Sequence, residues 1–390
     1  MARSYDYRDD SGPRVVKVSK AGLVLPDCGY LVGLGPFQTV LQAYPNVTGA
    51  MVSSESFAEN QAANVQWSVQ NISATTGILI RDVGFNGRGV PIDFANGIYA
   101  ADAAPMLDAI KLCGRGMQVR NVWGFNIRGT GLVLDGCNVP FPGSVADLDY
   151  GDQEINLVED VHFRNVMTGI FLMRGADTKI RDCTVQGARD CGLCNWGGAS
   201  IVENLHVWNT DGPAGADDLR GIGIEAGKPD GSSGQQHYVG ETQVDNCRIG
   251  MRSNSAGNRI DFLIGKFCDE IVLDAVRRLS VGFCQLTDMD QGSIGIFFRP
   301  GANGSCVSDA DITLRYASNI AAVVQCHNVR FTASQMWGSG VDSTMISFGR
   351  TAAEGGLVQP SGCDITINCN GAGKGVHIKA IGAGNRIVVR

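Results

Sequence analysis

The chain has 390 residues, 32 basic side chains against 39 acidic ones, a net charge of −7, and 52 glycines against 12 prolines. Such a length supplies a large buried core and room for two domains. Glycine without a G-X-Y period excludes a collagen-like chain, and an acidic balance without basic runs argues against nucleic-acid binding or attachment to an anionic membrane.

Residues 1–14 are polar and charged. They hold no apolar core for a secretory signal, and no later run is long enough to span a membrane. This stretch is expected to be an attachment or capping segment ahead of a β-structured body over 15–390. That body opens with two motifs, Gly22-Leu23-Val24-Leu25-Pro26 and Gly33-Leu34-Gly35-Pro36-Phe37-Gln38-Thr39-Val40-Leu41. The second sets a G-x-G turn before a Thr and an apolar strand.

From residue 80 onward one hexapeptide recurs: apolar, any, Asp/Asn, apolar, any, apolar. It reads Ile80-Arg81-Asp82-Val83-Gly84-Phe85, Val158-Glu159-Asp160-Val161-His162-Phe163, Ile180-Arg181-Asp182-Cys183-Thr184-Val185 and Val202-Glu203-Asn204-Leu205-His206-Val207. Further copies centre on Asn246, Asp309 and Asn328, and Val119–Phe125 reads as a copy with one residue inserted. Alternation on each side of the Asp/Asn predicts two short strands. The central residue tolerates a left-handed bend and bonds nearby backbone. The intervals between successive Asp/Asn positions are 39, 39, 22, 22, 42, 63 and 19 residues, read as multiples of about 21. A third strand begins with Gly, as in Gly131–Leu134, Gly169–Leu172, Gly192–Asn195 and Gly221–Ile224. Three strands per coil predict an all-β, right-handed, single-stranded parallel β-helix with three sheets and an Asp/Asn ladder along it.

Cys183, Cys247 and Cys326 fall at inward positions and are expected as core thiols. Cys191-Gly192-Leu193-Cys194 has the spacing of a redox or zinc half-site, but the repeat accounts for it. His162 and His206 share a repeat position too far apart for one metal. No metal or cofactor is expected.

Function in such a solenoid belongs to its outer faces and enlarged turns. The turns at 135–154, 208–220 and 225–241 are long and acidic, and they flank the sheet of Gly-apolar strands, where a groove is expected over 131–224. Paired carboxylates are what glycoside hydrolysis requires. Asp211, Asp217, Asp218 and Glu225 are therefore the candidate catalytic residues. Trp196, Trp208, Phe171, Arg174 and Arg220 are the candidate binding residues, and Trp123 is a third tryptophan suited to stacking on a sugar ring.

The coil pattern, with the opening G-x-G turn, resembles the pectate-lyase-like right-handed β-helix superfamily over about residues 15–390. With no export signal and thiols suited to a reducing site of synthesis, the chain looks most like bacteriophage tailspike and tail-fibre proteins. That resemblance implies a homotrimer in the virion, assembled in the host cytoplasm against other tail proteins, that binds and in some members cleaves host surface polysaccharide. The repeat runs almost to Arg390, leaving no separate C-terminal trimerisation domain and placing assembly on a lateral face. Two other readings stay open: a free-standing polysaccharide lyase, hydrolase or sugar-transferring enzyme, and a purely structural virion protein.

Overall fold

The computed structural model describes residues 14–18, 22–44, 47–57, 75–93, 96, 98–103, 105–135, 156–174, 177–210, 221–231 and 237–390. It divides into two compact units, Met1–Arg189 and Asp190–Arg390. Each is a parallel β-helix, as the repeat predicts: strand follows strand in parallel register, coil on coil.

In the middle of the second unit the coils are regular. Tyr238 pairs with Arg259 and Arg259 with Ser280, each 21 residues on. A long strand, Asn258–Lys266, ends at the left-handed Phe267, and a short one, Ile271–Ala275, completes the coil. Inward residues stack in apolar columns such as Leu193, Ile224, Met251, Leu273 and Ile296, all fully buried. Neighbouring coils lie about 4.8 Å apart, the spacing of hydrogen-bonded strands.

In the first unit the coils are longer than expected. Leu79 pairs directly with Gln118, and Gln118 with Leu157. An interval of 39 residues is thus one coil with an enlarged turn, not two minimal coils. Asp82, Asn121, Asp160 and Asp182 hold left-handed φ values of 57°, 47°, 53° and 55°. Asn121 Nδ2 donates to Asp82 Oδ1 at 2.7 Å, so the corner ladder is real between adjacent coils.

Two expected rungs belong elsewhere. Val202 and Leu205 pair with Val239 and Thr242, which sets Glu241, not Asn246, beside Asn204. Glu241 then pairs with Phe262, Phe262 with Phe283 and Phe283 with Asp309. Asn246 instead donates from Nδ2 to Asn209 Oδ1 at a different corner. Asn328 lies before the Arg330–Cys306 pair and bonds Ser361 O through its backbone, so it turns a third corner.

The described cysteines carry no disulfide. Cys183, Cys247 and Cys326 are buried as expected, and burial pushes each thiol up to about 12. They pack as small apolar groups and are unreactive at neutral pH.

Candidate functional site

Among the described residues, two open grooves lie on the outer face of the hexapeptide strands, one in each unit. In the sheet of Gly-apolar strands, where a groove is expected, Val133, Cys194, Glu225 and Asp274 are buried, and most of two of the turns expected to flank it lie outside the described residues.

In the first unit the G-x-G turn forms one wall. Gly33 N donates to Arg81 O and Gly35 N to Asp82 O, each at 3.0 Å, while Leu34 N bonds Thr39 Oγ1. A Cβ at Gly33 would lie 2.0 Å from Asp82 O, and one at Gly84 2.1 Å from Pro36 O. Glycine at both positions lets the turn lie flat against the next coil. Phe37 is thereby brought to Trp123, with ring centroids 4.9 Å apart. Phe37 is 60% exposed and Trp123 38%.

The floor beneath them follows from one small residue. Val122 pairs with Val161, Gly124 with Phe163 and Phe125 with Arg164, so Val119–Phe125 contains no insertion. Gly124 occupies the inward position held by Phe85 and Phe163 in the adjoining coils. Its missing side chain makes room for the Phe163 ring, 2.5 Å from where a Cβ would stand. Phe125 is consequently turned outward, beside Arg164. Trp123 also rests on His162, centroids 4.5 Å apart. With its proton on Nε2, His162 donates to Asp160 Oδ1 at 2.7 Å and accepts from the Thr184 hydroxyl at 2.6 Å. Asp160 therefore both turns the chain and orients the imidazole.

Pro91 and Ile92 make the opposite wall. Asn165 ties their segment down: Nδ2 donates to Val90 O and Asn126 Oδ1, and Oδ1 accepts Ala100 N. Arg189 pins the same segment through Asp102 at 2.7 Å. The enclosed groove measures about 400 Å³.

The second unit carries a groove of about 500 Å³ around Trp208. His206 stacks on Trp208 at 4.3 Å and meets Asp245 Oδ2 at 2.8 Å. Gln243 Nε2 donates to the same oxygen, and the other Asp245 oxygen is buried with no partner among the described residues. Lys266 sits one coil along from Asp245, and Phe267 and Asp290 close the far side.

Glu225 lies in neither groove. It pairs with Cys194 on one side and Arg252 on the other, and is fully buried. Trp196 Nε1 donates to its Oε2 at 2.8 Å and Asn254 Nδ2 to its Oε1 at 3.0 Å. Burial pushes its carboxyl above the usual carboxylate range, against the pull of Trp196, Arg252 and Asn254. Further along the column, buried Asp274 receives Arg252 Nε at 3.1 Å and Arg299 Nε at 2.6 Å. This ladder joins buried carboxylates to arginines from coil to coil.

Of the residues singled out from sequence, Trp123 and Trp208 line grooves, Trp196 serves Glu225, and Phe171 is half-buried beside Val133. Arg174 pairs through its backbone with Asp135, and its side chain is not described. Asp211, Asp217, Asp218 and Arg220 lie outside the described residues, as do most of the turns at 135–154 and 208–220. Sequence reasoning missed Phe37, Arg164, Asp245 and Asp290. Among the described residues no three His, Cys, Asp or Glu side chains form a metal-binding group.

Fold and grooves together define a parallel β-helix with aromatic clefts on its outer face. Comparison with solved structures finds catalytic domains of GH87 α-1,3-glucanases. One, in complex with tetrasaccharides, is 12% identical with a TM-score of 0.41, the alignment covering 96% of this chain and 64% of that one. Another, in complex with nigerose, is 13% identical with a TM-score of 0.42, covering 96% and 63%. The chain thus spans less than two thirds of those domains, and the likeness assigns it no activity. No protein-family model and no curated protein matches the sequence.

Proposed function

We propose that this chain is a glycan-binding β-helix whose setting is a bacteriophage tail spike or tail fibre, holding host surface polysaccharide in its aromatic grooves. One observation carries the reading: the exposed Phe37–Trp123 pair, buttressed by His162 and walled by Pro91 and Ile92. Exposed aromatic faces over a fixed polar floor suit the apolar C–H face and the hydroxyl rim of a sugar ring. Both rings keep part of their surface open to solvent within the groove, where a ligand can reach them.

The test is binding of the full chain to an array of bacterial surface glycans. The reading expects at least one glycan to bind and Trp123→Ala to abolish its binding with the circular dichroism unchanged. Binding indifferent to Trp123→Ala would refute it.

A second reading, polysaccharide cleavage by a hydrolase or lyase, is favoured by the acidic lining of the Trp208 groove. Asp245 and Asp290 both face it, and a carboxylate pair is the minimum apparatus for glycoside hydrolysis. Release of reducing ends from a bound glycan, lost in Asp245→Asn, distinguishes cleavage from binding. The homotrimer expected of a tail spike is tested separately by light scattering.

A further inference from the structure

Arg164 is the only charged side chain among the described residues lining the Phe37–Trp123 groove. It is exposed, and no carboxylate is paired with it among the described residues. Several arginines on the outer surface of the same unit do have partners: Arg120 and Arg181 share Glu159, and Arg189 meets Asp102. Asp160, the acid closest to Arg164 in sequence, is engaged by His162. Arg164 therefore lines the aromatic groove as an exposed cation with no carboxylate partner among the described residues. Asn126, turned outward at a left-handed corner (φ 52°), adds a neutral polar group next to it.

From this placement we infer that the Phe37–Trp123 groove selects an acidic sugar residue, one carrying a carboxylate such as a uronic acid. The inference rests on the glycan-binding reading above. A planar guanidinium matches a carboxylate through two parallel hydrogen bonds, and among the described residues no carboxylate competes for it. The sugar ring would lie against Phe37 and Trp123 while its carboxylate reaches Arg164. The Trp208 groove differs in kind. There Lys266 is accompanied by two carboxylates, Asp245 and Asp290, a net acidic lining that favours hydroxyls over a carboxylate.

The experiment uses the full chain and three uronate-containing oligosaccharides, from polygalacturonate, alginate and hyaluronan, each beside its carboxyl-reduced neutral counterpart. Affinities are measured by calorimetry for wild type, Arg164→Gln and Trp123→Ala. The inference expects at least one uronate oligomer to bind more tightly than its reduced counterpart. Arg164→Gln should weaken that binding about ten- to hundred-fold, the range of a hydrogen-bonded charged contact, and weaken binding of the reduced oligomer far less. If uronate and reduced oligomers bind alike, and only Trp123→Ala abolishes both, charge selection is overturned while glycan binding stands. If none of the six binds, the acidic-sugar inference is overturned, and the glycan array decides the parent reading on its own.

Discussion

Gly84 and Pro36 meet backbone to backbone: a Cβ on Gly84 would stand 2.1 Å from the Pro36 carbonyl oxygen. This contact is what sets Phe37 against Trp123. Gly84→Ala should push the turn outward at a cost of roughly 1–3 kcal/mol, the range for an overpacked site. Glycan binding should fall while the coil stays folded. Thermal denaturation and a binding assay on the same sample check both halves, and an unaltered affinity would detach the turn from the site.

The corner ladder makes a prediction of its own. Asn121 holds φ 47° and donates to Asp82. Asn121→Ala loses the side-chain bond and keeps a strained backbone, whose left-handed cost is about 1–2 kcal/mol. Asn121→Gly relieves the strain alone. Stability should rank wild type above Gly and Gly above Ala. Urea midpoints placing Ala level with Gly would show that left-handed strain is not a cost at this corner.

Acid should weaken the second unit through His237. Burial lowers its pKa from 6.5 to about 4. Asn195 and Ser200 approach its Nδ1 at 3.1 Å, and its Nε2 is buried without a partner among the described residues. The folded state disfavours the imidazolium, so between these values the unfolded chain binds more protons. The contribution is present above about pH 6.5 and is lost as pH falls through about 4. From the shift it amounts to about 3 kcal/mol. His237→Asn should flatten the stability profile between pH 7 and pH 4; a profile identical to wild type would exonerate this histidine.

Asp274 and Glu225 should respond differently to the loss of charge. Asp274 is buried and meets both Arg252 and Arg299, so Asp274→Ala removes charged hydrogen bonds to two guanidinium groups, at roughly 1.5–3 kcal/mol. Glu225→Gln, at a buried carboxyl already biased towards its neutral form, should cost far less and leave glycan binding intact. Melting temperatures of the two variants test the contrast. Loss of binding in Glu225→Gln would return that residue to the functional site.

The coil architecture was legible because side-chain alternation and a bend-tolerant Asp or Asn are local properties, and Asp82, Asn121, Asp160 and Asp182 do stack. Coil length was not, since a 39-residue coil with a long turn is nearly two minimal coils, and only the Leu79–Gln118 pairing separates the cases. Asn246 fits the hexapeptide yet turns another corner, because every corner of a β-helix asks for the same residue types. Trp123 and Trp208 stood out as aromatic residues near turns. Phe37 and Arg164 did not, for they reach Trp123 only through register: Phe37 across 86 residues of chain, Arg164 by pairing with Phe125. Gly124 hid the floor of the groove. Read as an insertion, it kept Phe125 in the core, where Phe163 in fact takes the space.

A crystal structure of the chain soaked with its tightest-binding array oligosaccharide tests the central claim most directly. The account predicts a sugar ring in van der Waals contact with Phe37 and Trp123, its polar rim towards Asn126 and Arg164. Oligosaccharide bound solely elsewhere on the chain, with Phe37 and Trp123 bare, would contradict it.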